Sequence, residues 1–243
     1  MPSTYQYYRP ISLLFHLGKL LFQVIISKMK SHFEVINSNQ YAYQQKISTT
    51  DAILQLMDDW TFVLESDTNV KLIQNACLDF SQAFYRMLHP ILIAKMNSLG
   101  LYTNAIALVE GFLESRQQCV KYCDQFSEYK PINVGAPQGT KLGPILWLIH
   151  VNDLEAYDCD TKCIKYAGDD TTFYKPIVDP STENISDAIL LAKTWSEQNN
   201  MILNSSKTVI LNVAFTAKPA MYLDVTYGDD DISLFFPTMQ QDN

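Results

Sequence analysis

The stretch Cys163–Tyr174, CIKYAGDDTTFY, reads as a strand, a turn and a second strand, with two adjacent carboxylates, Asp169 and Asp170, at the turn. Neighbouring like charges repel, so the pair needs cations, water or a specific use to remain ionised. Gly and Asp are also ordinary turn residues, and GDD alone equally describes a solvated acidic hairpin. The segments on either side decide between these readings.

Upstream, VKLIQNACLDF (70–80) is a mostly apolar strand that ends at Asp79. A carboxylate at the end of a buried strand costs desolvation unless something compensates it. Downstream, ENISDAILLAKTWSEQNN (183–200) has helical composition, and MILNSSKTVILNVAF (201–215) supplies two further strands. Towards the N-terminus, Leu17, Leu20, Leu21, Val24, Ile25, Met29 and Phe33 fall at helical spacing, predicting an amphipathic helix from Leu17 to Phe33. Thr50-Asp51 offers a cap and an acidic first turn to a second helix, with Ile53, Leu56, Met57, Trp60 and Leu64 on one face.

A third helix is expected over PILIAKMNSLG (90–100), with Pro90 in the first turn and Gly100 at the stop. Thr103 or Asn104 caps another that reaches Leu113. QQCVKYCDQFSEYKPINVG (117–135) reads as a hairpin running into a Pro/Gly entry and an apolar helix, APQGTKLGPILWLIHVNDL (136–154). Strands and helices alternate irregularly, which favours an α+β fold with an antiparallel sheet.

With 243 residues, 47% of them hydrophobic, the chain has enough apolar surface for one domain of two lobes or two small domains. No apolar run approaches the roughly 20 residues of a membrane span, and the first residues lack signal-peptide character. The expectation is an intracellular protein, nuclear or cytoplasmic, with no membrane partner. A net charge of −8 argues against a broad basic footprint for nucleic acid. The five cysteines suggest free thiols in a reducing compartment. Cys119, Cys123, Cys159 and Cys163 have a spacing loose for a zinc site, and the four histidines lack metal-ligand spacing.

The order of segments is more specific than any one of them. YRPISLL (8–14), NQYAYQQKISTTDAI (39–53), LDFSQAF (78–84), GAPQGTKLGP (135–144), KYAGDDTT (165–172) and MILNSSKT (201–208) together resemble the reverse transcriptase domain of non-LTR, LINE-type retrotransposons, from Tyr8 to about Phe215. The resemblance implies the right-hand polymerase fold and RNA-directed DNA polymerase activity on an RNA template with a DNA primer and deoxynucleoside triphosphates. It also implies two Mg2+ ions, or Mn2+, because phosphoryl transfer needs charge neutralised on the attacking and leaving oxygens, and hard cations take carboxylate oxygens.

Carried over by residue, Asp79, Asp169 and Asp170 match the metal ligands. Phe84 matches the steric gate that excludes a ribose 2′-hydroxyl. Gln138 and Gly139 match the loop that contacts template and nucleotide, and Lys207 matches the lysine facing the leaving pyrophosphate. The implied division is fingers over 1–70, palm over 71–100, a connecting helix and hairpin over 101–134, palm again over 135–225, and a truncated hairpin over 226–243 leading to an absent thumb.

Several positions depart from the family pattern. Gly168 is inserted into the usual Tyr, small residue, Asp-Asp turn, and should either bulge or slip the register. Tyr85 stands where the family usually has Asp. Ile47 replaces a usual Arg near the triphosphate, leaving Gln45 and Lys46 nearby. These departures predict a degenerate copy with weak or no activity. A non-catalytic nucleic-acid or protein binding domain derived from such an element is the alternative. An RNA-directed RNA polymerase is a third reading, prompted by Tyr227-Gly228-Asp229-Asp230, which by its position after the lysine block reads better as a plain hairpin turn.

Overall fold

The computed structural model describes residues 12, 16–29, 38–44, 46–137, 139–156, 158–166, 170–214, 226–227, 230–231 and 233–235. The chain divides into two compact units, one of residues 1–37 and 84–151, the other of residues 38–83 and 152–243.

The first unit is mainly helical. It contains α1 (His16–Met29), α4 (His89–Ser98), α5 (Thr103–Leu113) and α6 (Leu142–His150), and it takes most of the short α3 (Ala83–Arg86). The predicted face of α1 is corrected. Leu17, Leu20, Leu21 and Val24 are exposed, whereas Phe22, Ile25 and Met29 are buried. Phe22 meets Phe112 edge to face with ring centroids 4.6 Å apart, and this aromatic contact turns the helix away from its aliphatic stripe. The expected continuation to Phe33 lies outside the described residues.

α4 starts with Pro90 in its first turn and is followed by Gly100 at φ +71°, as its composition predicts. α5 begins at Thr103 but is capped by neither expected side chain: Tyr102 occupies the cap position, and its side chain makes no capping bond. α6 is almost wholly buried, and Lys95 Nζ donates to the His150 carbonyl at its C-terminal end (2.6 Å). The predicted hairpin over 117–135 is two nested ladders, β2 (Arg116–Gln118) with β5 (Lys130–Ile132) and, inside it, β3 (Lys121–Tyr122) with β4 (Gln125–Phe126).

The second unit is built on a sheet of β1 (Leu72–Leu78), β6 (Lys162–Tyr166), β7 (Asp170–Ile177), β8 (Val209–Val213) and β11 (Ser233–Phe235), in the order β11-β8-β1-β7-β6. The three pairings among β8, β1, β7 and β6 are antiparallel, and β11 joins β8 in parallel. β9 (Thr226–Tyr227) pairs with β10 (Asp230–Asp231) as the predicted hairpin, and its turn at Gly228-Asp229 lies outside the described residues.

β1 is buried on both faces, which fits its mostly apolar sequence, and its polar residues Gln74 and Asn75 are buried with it. On one face Ile73, Ile164 and Tyr174 pack with Ala52, Leu56, Trp60, Val63 and Leu64 of α2 (Thr49–Ser66). On the other, Gln74 accepts the backbone N–H of Ile185 (2.9 Å), where α7 (Ser186–Gln198) begins.

α2 starts two residues earlier than a cap at Thr50 would give. Ser48 is the cap, and Asp51 returns the bond to the Ser48 N–H, so the two form a capping box. The Ser48 hydroxyl and backbone bonds hold the Asp51 carboxyl below its ordinary range. Ile53 and Met57, expected on the packed face, are more than half exposed, while Leu56, Trp60 and Leu64 do pack.

The outer edge of β6 is engaged by the segment before α2. Lys165 N–H donates to the Asn39 carbonyl and the Lys165 carbonyl accepts the Tyr41 N–H, both at 2.8 Å. The Lys165 side chain is 1% exposed and donates to the carbonyls of Asn152 (3.1 Å) and Leu154 (2.9 Å). Burial holds its pKa below the usual lysine value.

Candidate active site

Asp79 follows β1 directly, and its main chain is fixed by the segment that returns after α7. Ser81 N–H donates to Ile202, Phe80 bridges Leu203, and Asn204 N–H donates to the Asp79 carbonyl (2.8 Å). The Asp79 side chain is 15% exposed, and its Oδ2 accepts a second bond from Asn204 Nδ2 (3.0 Å) and lies 3.5 Å from Lys207 Nζ. Lys207, 60% exposed, makes a surface ion pair, a contact that typically contributes about 0–1 kcal/mol.

Asn204 is itself held in place. Its carbonyl receives Lys207 N–H, Thr208 N–H and Thr208 Oγ1, and its Oδ1 accepts from Ser206 Oγ (2.7 Å). This residue was not among the predicted site residues, although it sits inside MILNSSKT three positions before the lysine. An Asn before a Ser-Ser-Lys turn was the available signal, since Asn commonly ties a turn to its own backbone.

The two strands that flank the acidic turn belong to the same sheet, with β7 beside β1. β6 and β7 pair in unbroken register through Lys165↔Thr171 to Tyr166↔Asp170. β7 in turn pairs with β1 through Leu78↔Thr171, so one further step on that register sets Asp79 opposite Asp170. Tyr166 and Asp170 are the last paired residues on the two sides of the turn. Ala167, Gly168 and Asp169 lie outside the described residues.

Lys46 is exposed, with φ +66°, and makes no ion pair with Asp79 among the described residues. Ile47 is 37% exposed. In the first unit, Phe84 lies on α3 with its ring centroid 5.7 Å from that of Trp147. Gln138 lies outside the described residues, and Gly139 adopts φ +89°, a conformation that favours glycine. The neighbouring Thr140 Oγ1 donates to the Pro137 carbonyl (3.0 Å) and accepts the Gly143 N–H (2.9 Å), fixing the loop to the start of α6.

Among the described residues no three His, Cys, Asp or Glu side chains gather to hold a metal, and none of the five cysteines forms a disulfide. The Asp79 carboxylate nevertheless suits a hard cation. It is mostly buried, its Oδ2 is oriented by Asn204, and its Oδ1 accepts no hydrogen bond among the described residues.

Over residues 2–227 the chain matches the family described as reverse transcriptase (RNA-dependent DNA polymerase). It is 29% identical over 225 residues to the RNA-directed DNA polymerase from mobile element jockey of Drosophila melanogaster, covering 88% of this chain and 24% of the relative. It is 25% identical over 229 residues to the probable RNA-directed DNA polymerase from transposon X-element of the same fly, covering 89% of this chain and 25% of the relative. The chain thus spans about a quarter of the length of these curated relatives.

Among solved structures it is similar in fold to a telomerase from Candida tropicalis in complex with a fragment of telomeric RNA, with a TM-score of 0.61 and 14% identity over 86% of this chain and 35% of that one. With an α+β fold, a largely antiparallel sheet and this match over most of its length, the chain belongs to the reverse transcriptase (RNA-dependent DNA polymerase) family, as a domain of the type found in non-LTR, LINE-type retrotransposons.

Proposed function

We propose that the chain forms the fingers and palm of an RNA-directed DNA polymerase that extends a DNA primer on an RNA template with deoxynucleoside triphosphates. The observation that carries this reading is the register that sets Asp79 opposite Asp170 at the ends of adjacent antiparallel strands, with Asn204 bonded to the Asp79 carboxylate. The fingers would comprise 1–70 and the palm 71–100 and 135–225, joined by 101–134, with 226–243 leading towards a thumb.

Asp79, Asp169 and Asp170 would hold divalent cations. When bound, two Mg2+ ions, or Mn2+, neutralise phosphate charge and favour ionisation of the attacking hydroxyl. Lys207, exposed beside Asp79, offers a proton or a positive charge to the departing pyrophosphate. Phe84 would exclude a ribose 2′-hydroxyl, Gln138 and Gly139 would contact template and nucleotide, and Lys46 would approach the triphosphate.

Tyr85, Ile47 and Gly168 support a degenerate copy with weak or no turnover. An error of about 1 Å at the reacting atoms can cost on the order of a hundredfold in rate.

The test is a Mn2+ titration followed by thermal melting, with primer extension on an RNA template. Stabilisation by Mn2+ in the parent, lost in Asp79→Asn, supports the metal site. Equal responses in both proteins would refute it and favour the binding-domain reading. Mg2+-dependent incorporation by the parent would overturn the degenerate assignment.

A further inference from the structure

α3 has only four residues, too few to hold its own position by helical hydrogen bonding. Phe84 lies on it, and Gln82, just before it, has φ +53°. The position of the Phe84 backbone must therefore come from contacts outside α3.

Those contacts converge on Gly135. Its N–H donates to the Met87 carbonyl (2.7 Å), and the next N–H, of Ala136, donates to the Phe84 carbonyl (2.8 Å). Val134 bridges Leu88. Gly135 has φ +73°, and a Cβ there would come within 2.8 Å of Phe84 O, Tyr85 Cα and Tyr85 O, all of them backbone atoms with little freedom to move.

The Gly135 carbonyl is held from the other side. Arg116 Nη2 donates to it at 2.6 Å and lies 3.3 Å from the Val134 carbonyl, while Arg116 Nε donates to Leu113 (3.3 Å). His89 Nε2 lies 3.0 Å from the same carbonyl and 3.3 Å from Arg116 Nη2. The guanidinium also sits over the Phe112 ring, 5.8 Å from its centroid. A planar guanidinium with several donors can hold neighbouring carbonyls together in a way a lysine cannot.

We propose that Arg116 and Gly135 form a backbone clamp that fixes Phe84, making Arg116 a positioning residue for discrimination between deoxyribo- and ribonucleotides. The discriminating role rests on the reading of Phe84 as the steric gate. The clamp does not. A gate of this kind works by the space it leaves at the sugar 2′ carbon, so a small backbone shift is enough to admit a hydroxyl.

The test uses the full 243-residue chain with Arg116→Met, Arg116→Lys and Phe84→Ala. Amide exchange should rise roughly tenfold or more at Gly135 and Ala136 in Arg116→Met, the size expected from losing a charged hydrogen-bond donor. Amides of α2, in the other unit, should be unchanged, and Arg116→Lys should restore part of the protection. The affinity ratio of dATP to ATP in Ca2+ should fall towards one in both Phe84→Ala and Arg116→Met, with Arg116→Lys between Arg116→Met and the parent.

Unchanged exchange at Gly135 and Ala136 in Arg116→Met overturns the clamp. A ratio that falls in Phe84→Ala but not in Arg116→Met overturns the positioning role. A parent that binds neither nucleotide, or a ratio indifferent to Phe84→Ala, overturns the gate reading and the discrimination built on it, while exchange still decides the clamp.

Discussion

Asn204 holds Asp79 at two points: its backbone N–H donates to the Asp79 carbonyl and its Nδ2 to the Asp79 carboxylate, at 2.8 and 3.0 Å. One residue thereby fixes both the end of β1 and the direction of the acid that follows it. Asn204→Ala keeps the backbone bond but removes the side-chain bonds to Asp79 and from Ser206, and should cost about 1–3 kcal/mol, the range for a partly buried bond to a charged group. Asn204→Asp sets a second carboxylate against the first, so it should be less stable than Asn204→Ala in chelator and should recover with Mn2+. Urea denaturation with and without Mn2+ checks both.

Deleting Gly168 shortens the connection between the paired residues Tyr166 and Asp170 without altering the ladder on either side. The shorter turn matches the family's usual length. The deletion should raise Mn2+ affinity and metal-dependent incorporation above the parent in primer extension, and Asp79→Asn in the same background should abolish both gains.

Cys163 is buried, and desolvation raises its thiol from 9.0 to about 12. Its folded pKa lies above its unfolded one, so its contribution is complete below pH 9.0 and is lost as pH rises towards about 12. Tyr174, raised by burial and by its hydrogen bond to Asp59, adds a loss of the same sign. Stability should therefore fall on the alkaline side, and Cys163→Ala should flatten the first part of that fall in denaturant melts taken at successive pH values.

Ser48→Ala should destabilise α2 by about 1 kcal/mol, the usual cost of losing an N-cap. Thr50→Ala, at the residue first expected to help cap the helix, should cost less. Paired urea melts distinguish the two.

Much of this arrangement was legible in the sequence. The run ending at Asp79, Pro90 and Gly100 around α4, and the strand-turn-strand at Cys163–Tyr174 depend on local rules, and all appear in the fold. The packed faces of α1 and α2 were less accessible, because each helix carries more apolar residues than one face needs and tertiary partners such as Phe112 choose among them. Asn204 and Arg116 were missed for a related reason. Their roles depend on backbone carbonyls 125 and 19 residues away, at Asp79 and Gly135, and spacing along the chain gives no indication of such partners.

Lys165 has a consequence for how the protein behaves when many copies meet. β6 is a sheet margin, and unpaired margins can recruit strands from other molecules. Here the outward amide and carbonyl of Lys165 are already taken by Asn39 and Tyr41, and its charged side chain is directed inward to the carbonyls of Asn152 and Leu154. A foreign strand would have to displace the first pair and accommodate a buried cation on the same rung. That gives this flank of the sheet a built-in resistance to fibre growth.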